Sequence, residues 1–351
     1  MKKATLTLLI FLLLLTLTAC GETPPGDAAP PSAGTLLPEA AVSSHLEGIV
    51  RNARFLDIPT YEGSGQAVHP QVLYFEEAFM GYHYIMVMTP YPYSNNAHEN
   101  PSILGSQDGM VWEVPPGVTN PVFGPPPDVE HGGYYSDPFL LRRGDELELW
   151  FRHTAAREIR PGHFLQNNTH NRIYRTRTDD LANWSPLETI FDCPSNMDHY
   201  MSPVVMHDGA VYRVWYTNFD SVLYYIESPD LVNWSPRVSV PADLGGLGIW
   251  HLDIVFTGEE YEALFTSANW SSEPTFRLFY ATSSDGLSFG RGHEISIDRI
   301  SPDLEGMTVH KCSFVRQNGI YQMYIAVFTP DSVWKLFYFE IAEEHLDVLF
   351  D

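Results

Sequence analysis

The chain has 351 residues, with 20 Lys plus Arg against 44 Asp plus Glu, a formal net charge of −24. Charge of that sign opposes phosphate backbones and excludes a nucleic-acid partner. A 44% hydrophobic content with 13% aromatics excludes a disordered chain, and three cysteines are too few for a disulfide scaffold. The chain opens with Lys2 and Lys3 and an apolar run from Leu6 to Leu17 that ends in Leu-Thr-Ala-Cys at Cys20. The run is shorter than the roughly 20 apolar residues of a membrane-spanning helix, so it reads as a secretory leader. Residues 20–44 are rich in Pro, Gly and Ala, which cannot build a core and make an extended tether.

Leu17-Thr-Ala-Cys20 resembles the lipobox of bacterial lipoproteins. The resemblance implies cleavage after residue 19, lipidation of Cys20 and attachment to a bacterial membrane on its extracytoplasmic side. Loss of Lys2 and Lys3 leaves 18 basic residues against 44 acidic, a charge of −26 that suits neutral ligands better than anionic ones.

From residue 45 to 351 no helical periodicity is sustained. Short runs rich in Tyr, Phe, Val, Ile and Trp alternate with Gly, Pro, Asp and Asn turns: Val72–Phe75, Tyr82–Met88, Leu147–Phe151, Val211–Thr217, Ala263–Ser267, Gln322–Val327 and others. The pattern predicts an all-β domain. Four segments share an Asp, three residues, then an aromatic: Asp108…Trp112, Asp180…Trp184, Asp230…Trp234 and Asp285…Phe289. In such turns the Asp accepts backbone N–H groups and the aromatic packs between units, so these acids are structural. Five openings precede the repeats: His69-Pro-Gln-Val, Ser136-Asp-Pro-Phe, Met201-Ser-Pro-Val, His251-Leu-Asp-Ile and His310-Lys-Cys-Ser-Phe. Five units of three or four strands predict a five-bladed β-propeller.

This rhythm, with its Asp-Pro opening, resembles the superfamily of glycoside hydrolase families 43, 32, 62 and 68 over about residues 60–345. The resemblance implies three carboxylates on the first three blade openings, as an oxocarbenium-like transition state needs a proton donor and an opposing carboxylate. Asp137 matches the second. Gln71 stands at the first and Ser202 at the third, and neither can act as base or acid. The expected constellation is therefore Glu99, Asp137 and Asp253, with His69, His251 and His310 around the axis; Asp198 is a further carboxylate nearby. Trp250, Tyr135 and Tyr91 are expected as sugar platforms, and Gln71, Ser202 and Lys311 complete the binding set. Each has a plainer role open to it, as a turn, rim or core residue. The three histidines have no recognisable metal-ligand spacing, and no cofactor is expected. Cys193 and Cys312 can pair outside the cytoplasm if geometry allows.

Three functions remain open on this reading. A membrane-anchored, glycoside-hydrolase-like protein acting on a neutral oligo- or polysaccharide needs two carboxyl groups facing each other across the cleft. A non-catalytic glycan-binding lipoprotein needs only aromatics and amides there, and Gln71 and Ser202 fit it. A scaffold for protein partners needs an exposed apolar patch instead.

Overall fold

The computed structural model describes residues 46, 48–160, 163–193, 199–269 and 275–351. The leader, Cys20, the tether and Asp198 lie outside the described residues. No helix among the described residues is long and apolar enough to cross a membrane.

Strand β1 (Val50–Phe55) is followed by five antiparallel sheets. Blade I holds β2 (Ala67–Phe79), β3 (Tyr82–Pro90) and β4 (Ser102–Ser106). Blade II holds β5 (Tyr134–Arg143), β6 (Glu146–Arg160), β7 (His163–Thr178) and β8 (Glu188–Cys193). Blade III holds β9 (Met201–His207), β10 (Tyr212–Thr217), β11 (Leu223–Ser228) and β12 (Val238–Ser239). After β13 (Ala242–Asp243), blade IV holds β14 (Gly248–Phe256), β15 (Tyr261–Asn269), β16 (Thr275–Ser283) and, beyond β17 (Phe289–Arg291), β18 (His293–Ile295). Blade V holds β19 (Thr308–Gln317), β20 (Ile320–Phe328) and β21 (Trp334–Ala342), with β1 as its outermost strand. Val50 pairs with Ile341 and Phe55 with Phe337, so the first strand closes the ring on the last. This is the five-bladed, all-β architecture expected from the repeats.

Burial follows distance from the axis. The second strands read as continuous apolar runs because blades cover both faces: Ile85, Met86, Val87, Met323 and Ile325 are fully buried. Outermost strands are wet, and β1 carries Arg51 and Arg54 across a bulge, which blunts an open edge.

The repeated Asp turns have the expected role. Asp180 Oδ1 accepts the N–H groups of Ala182 (3.0 Å) and Asn183 (2.7 Å), and Asp230 Oδ1 those of Val232 (2.9 Å) and Asn233 (2.7 Å). Hydrogen bonds from Asn183 and Asn233 lower both carboxyls to about 2. Trp234 of blade III packs at a tilt against Phe191 of blade II at 4.7 Å, which is the inter-blade packing the repeat implies.

Neighbouring blades are also clamped by tyrosines. Tyr212 donates to Glu148 (2.9 Å), Tyr321 to Glu262 (2.9 Å) and Tyr84 to Gln322 (3.0 Å), each from one blade's second strand to the preceding blade's second strand. Cys193 in β8 and Cys312 in β19 belong to different blades and stay thiols, so the disulfide does not form.

Candidate functional site

The innermost strands touch in cyclic order, β2 to β5, β5 to β9, β9 to β14, β14 to β19 and β19 to β2. Each has a break in pairing register at its opening: at Val68/Gln71, Ser136/Phe139, opposite Trp215/Thr217, at Ile249/His251 and at Val309/Cys312. In three of them the residue before Pro has a left-handed backbone: His69 (φ 53°), Asp137 (φ 50°) and Ser202 (φ 47°). That conformation is unfavourable for a side chain bearing Cβ, most of all before proline. Bulges re-aim side chains, and here they turn these three toward the axis.

The result is a compact polar cluster. Asp137 is fully buried; Arg152 Nε lies 3.0 Å from Oδ2, and Ser136 and Ser202 donate to Oδ2 and Oδ1 at 3.1 Å. Burial alone would raise this carboxyl, but Arg152, with His69 and His251, outweighs it and holds it well below the usual range. Asp137 Oδ1 lies 3.4 Å from His251 Nδ1 and 3.7 Å from His69 Nε2. Ser202 gives its own proton to Asp137 and so accepts one from His251 Nδ1. That fixes the His251 tautomer and leaves Nε2, a buried atom with no hydrogen-bond partner, as the lone-pair nitrogen.

His69, His251 and His310 converge. Their ring centroids are 4.4–5.3 Å apart, and one ligand nitrogen from each lies within 4.8 Å of the others. Burial lowers the basicity of all three, keeping them neutral as metal ligands must be. Neutral imidazoles on a buried carboxylate, with one orphaned lone pair among them, fit a single divalent cation. No local spacing marks the three as a ligand set, because they come from β2, β14 and β19, far apart along the chain.

Above the cluster opens a cavity of about 440 Å³. Glu99, 4% exposed, lines it and places Oε2 3.3 Å from His69 Nδ1. Burial, reinforced by the charge of Asp137 and opposed by Arg152, pushes its carboxyl well up. One wall is aromatic: Tyr91 packs on Trp334 at 5.5 Å, and Trp334 on His310 at 5.0 Å and Phe328 at 4.7 Å. Tyr91 is braced by its bond to Asn96 Oδ1 (2.9 Å), and Trp250 forms part of another wall.

Several expected site residues sit elsewhere. Tyr135 does not face the cavity; it packs edge-on against Phe151 (5.0 Å) and His153 (5.2 Å) of the neighbouring strand in its own blade. Strand alternation gives the cavity to Tyr134 instead. Gln71, Asp253 and Ser313 are staples between innermost strands that do not pair directly. Gln71 Oε1 accepts Leu140 N–H (2.9 Å), Asp253 Oδ2 accepts Phe314 N–H (3.3 Å), and Ser313 Oγ accepts Val72 N–H (3.1 Å). Asp253 therefore lies beneath the cavity rather than in it. Ser202 orients Asp137 and His251 from behind. Lys311 is 1% exposed and outside the cavity lining; burial lowers its pKa against the charges of Asp137 and Asp253. The residues that sequence reasoning missed are Arg152, Tyr134, Trp334 and Phe328. A buried Arg in a second strand carries no local signal, and the aromatics are lost among blade-packing ones.

Burial raises Asp253 to about 6, against opposition from Ser313 and Lys311. A folded-state pKa above the unfolded one means that stability is greatest below about pH 4, declines as pH rises toward 6 and is flat above. The decline attributable to this group is at most about 3 kcal/mol. Asp253→Asn, which keeps an oxygen for Phe314 N–H, is expected to lose that slope. Urea unfolding at intervals from pH 4 to 7 checks it; parallel curves for both proteins would clear Asp253 of the effect.

No protein-family profile matches the chain. It is 24% identical over 332 residues to the A type blood N-acetyl-alpha-D-galactosamine deacetylase of Flavonifractor plautii, spanning 81% of this chain and 43% of that relative. The crystal structure of an N-acetylgalactosamine deacetylase from F. plautii, in complex with blood group B trisaccharide, superposes with a TM-score of 0.68 at 19% identity, covering 86% of this chain and 98% of that one. The RS223 β-xylosidase (TM-score 0.55, 12% identity, 82% and 94% covered) and the family 43 endo-arabinanase of Bacillus licheniformis (0.53, 11%, 81% and 96%) share the architecture. Each of these proteins is named for action on a carbohydrate. The chain has the five-bladed β-propeller fold of the family 43-type glycoside hydrolases, a fold in which the deacetylase is also built.

Proposed function

We propose that the protein removes an acyl group, in the first instance the acetyl of an N-acetylated amino sugar, from a neutral glycan. The observation that carries this reading is the convergence of three neutral histidines beside a single cavity carboxylate. Glycoside hydrolysis requires two carboxyl groups facing the substrate. Among the described residues Glu99 is the only carboxylate that lines the cavity; Asp137 is sealed beneath it under Arg152. Amide hydrolysis requires a nucleophilic water, a group to move its proton and a means of stabilising an oxyanion.

His69, His251 and His310 would hold a divalent cation, and Asp137 would orient His69 and His251. Such an ion, when bound, supplies Lewis acidity toward the carbonyl and lowers the pKa of water. Glu99 takes the proton from the attacking water as the C–O bond forms. It returns that proton to the amine nitrogen as the C–N bond breaks, leaving acetate and a free amine. Its raised pKa suits a group that both accepts and donates. The Arg152 head at the cavity wall offers N–H donors to substrate oxygens, and Tyr91, Trp334 and Trp250 present faces for the sugar ring.

The test is acetate release from N-acetylgalactosamine glycosides, with and without chelator and with zinc, manganese or cobalt restored. Acetate release that disappears with chelator and returns with metal is expected. Release of reducing sugar without acetate would overturn the reading. The comparisons with carbohydrate-active propellers support a glycan as the ligand. The Leu-Thr-Ala-Cys20 sequence and the acid excess support the accompanying proposal of a lipid-anchored protein working outside the cytoplasmic membrane on an uncharged glycan.

A further inference from the structure

Among the described residues, blade III contributes none to the cavity lining, whereas the other four blades do. Over that side stands the turn between β10 and β11, with Phe219 at its tip. Phe219 is 56% exposed, although burying such a ring is worth about 1.5–3 kcal/mol. Single exposed apolar residues are common, so exposure alone says little. Two further facts separate Phe219 from the others. Its ring lies 6.4 Å from the ring of Trp250, tilted by 32°, and so continues the aromatic surface of the cavity outward. Its turn is also locked. Phe219 N–H donates to Asn218 Oδ1 (2.7 Å), Ser221 N–H to Asn218 O (2.8 Å) and Ile249 N–H to Ser221 O (2.8 Å). Asp220 accepts from Val222 N–H and from the Tyr224 hydroxyl, and Thr217 Oγ1 donates to Trp250 O (3.0 Å). At Gly248 an added Cβ would meet the Ser221 Cβ at 2.3 Å, so only glycine lets the turn seat against β14. His199 braces the ring from one side at 3.9 Å. The turn thus holds an apolar ring rigidly at the mouth of a polar site, in step with a second ring inside it.

We propose that Phe219 and Trp250 form a second sugar subsite on the blade III rim. The terminal N-acetylated residue enters the axial cavity, and the residue linked to it lays its apolar face on Phe219, so the preferred substrate is at least a disaccharide. The inference rests on the deacylation reading for the terminal residue and goes beyond it for the second. Preorganisation matters because a ring already held in place loses little freedom when the sugar arrives.

The experiment compares N-acetylgalactosamine with N-acetylgalactosamine-terminated di- and trisaccharides. Binding is measured by calorimetry in the Glu99→Gln background and kcat/KM on the otherwise unaltered protein. The longer sugars are expected to gain about tenfold over the monosaccharide. Phe219→Ala should abolish that gain and leave the monosaccharide unchanged, and Phe219→Trp should retain it. No gain with length, or an equal loss for all lengths in Phe219→Ala, overturns the subsite. Length-dependent binding that needs Phe219, without acetate release from any sugar, would keep the subsite and remove the deacylation reading.

Discussion

Replacing Glu99 by Gln is expected to lower kcat for acetyl release by about 10²–10⁴-fold, with KM changed by no more than a few-fold. Gln keeps the volume and the neighbourhood of His69 but cannot take a proton from water. No other carboxylate among the described residues lines the cavity, so nothing nearby can substitute. The three histidines are all retained, and metal content measured on the purified variant should equal that of the parent. This combination of a kcat loss, a steady KM and steady metal content distinguishes a lost proton carrier from a collapsed site. A variant retaining activity within a few-fold would show that the proton moves by another route.

The second large effect concerns stability. Glu148 is fully buried and accepts from Arg175 (2.7 and 2.8 Å), the Tyr212 hydroxyl (2.9 Å) and the Trp150 indole (3.1 Å). The Tyr212 bond ties blade II to blade III, and the others fix the carboxylate within blade II. Burial alone would raise its carboxyl, but Arg175 dominates and lowers it, so it is an anion in a low-dielectric interior. Glu148→Ala removes the anion, takes the acceptor from Arg175, Arg143, Tyr212 and Trp150, and opens a void. The expected cost is about 3–5 kcal/mol, a large part of a domain's net stability. At this size the midpoint of thermal unfolding should fall by about 5–8 °C. Tyr212→Phe, which removes one donor and leaves the ion pair, should cost only about 1–2 kcal/mol. Equal losses in the two variants would show that the ion pair contributes nothing beyond the tyrosine bond.

The fold was legible because a propeller repeats itself. Asp180–Pro186 and Asp230–Pro236 are nearly the same turn, and once its carboxylate is seen as an acceptor of backbone N–H groups the blade boundary follows. The axial site was legible in part. The openings at His69, Asp137, His251 and His310 do converge, because every blade begins at the axis. Their chemistry was harder to read. Tyr134 and Tyr135 differ only in which side of a strand they occupy, and a bulge two residues on decides the register. Asp253 looked like a site carboxylate by its place in the opening, yet its oxygen completes the missing ladder between β14 and β19. The histidine trio was visible as three separate residues, not as a ligand set, since its members lie on three different blades.

The closing strand has a consequence for how the molecule is made. Within the propeller β1 is synthesised first, yet its partner β21 is among the last segments to appear, and Val50 meets Ile341 only then. Blades I to IV are built from contacts close in sequence and can form as the chain emerges, whereas the ring shuts by a single pairing of very high contact order. Until then β1 waits as an unpaired strand. Its Val-Arg-Asn-Ala-Arg-Phe sequence, with charge on the solvent side, is suited to waiting without pairing to the wrong edge.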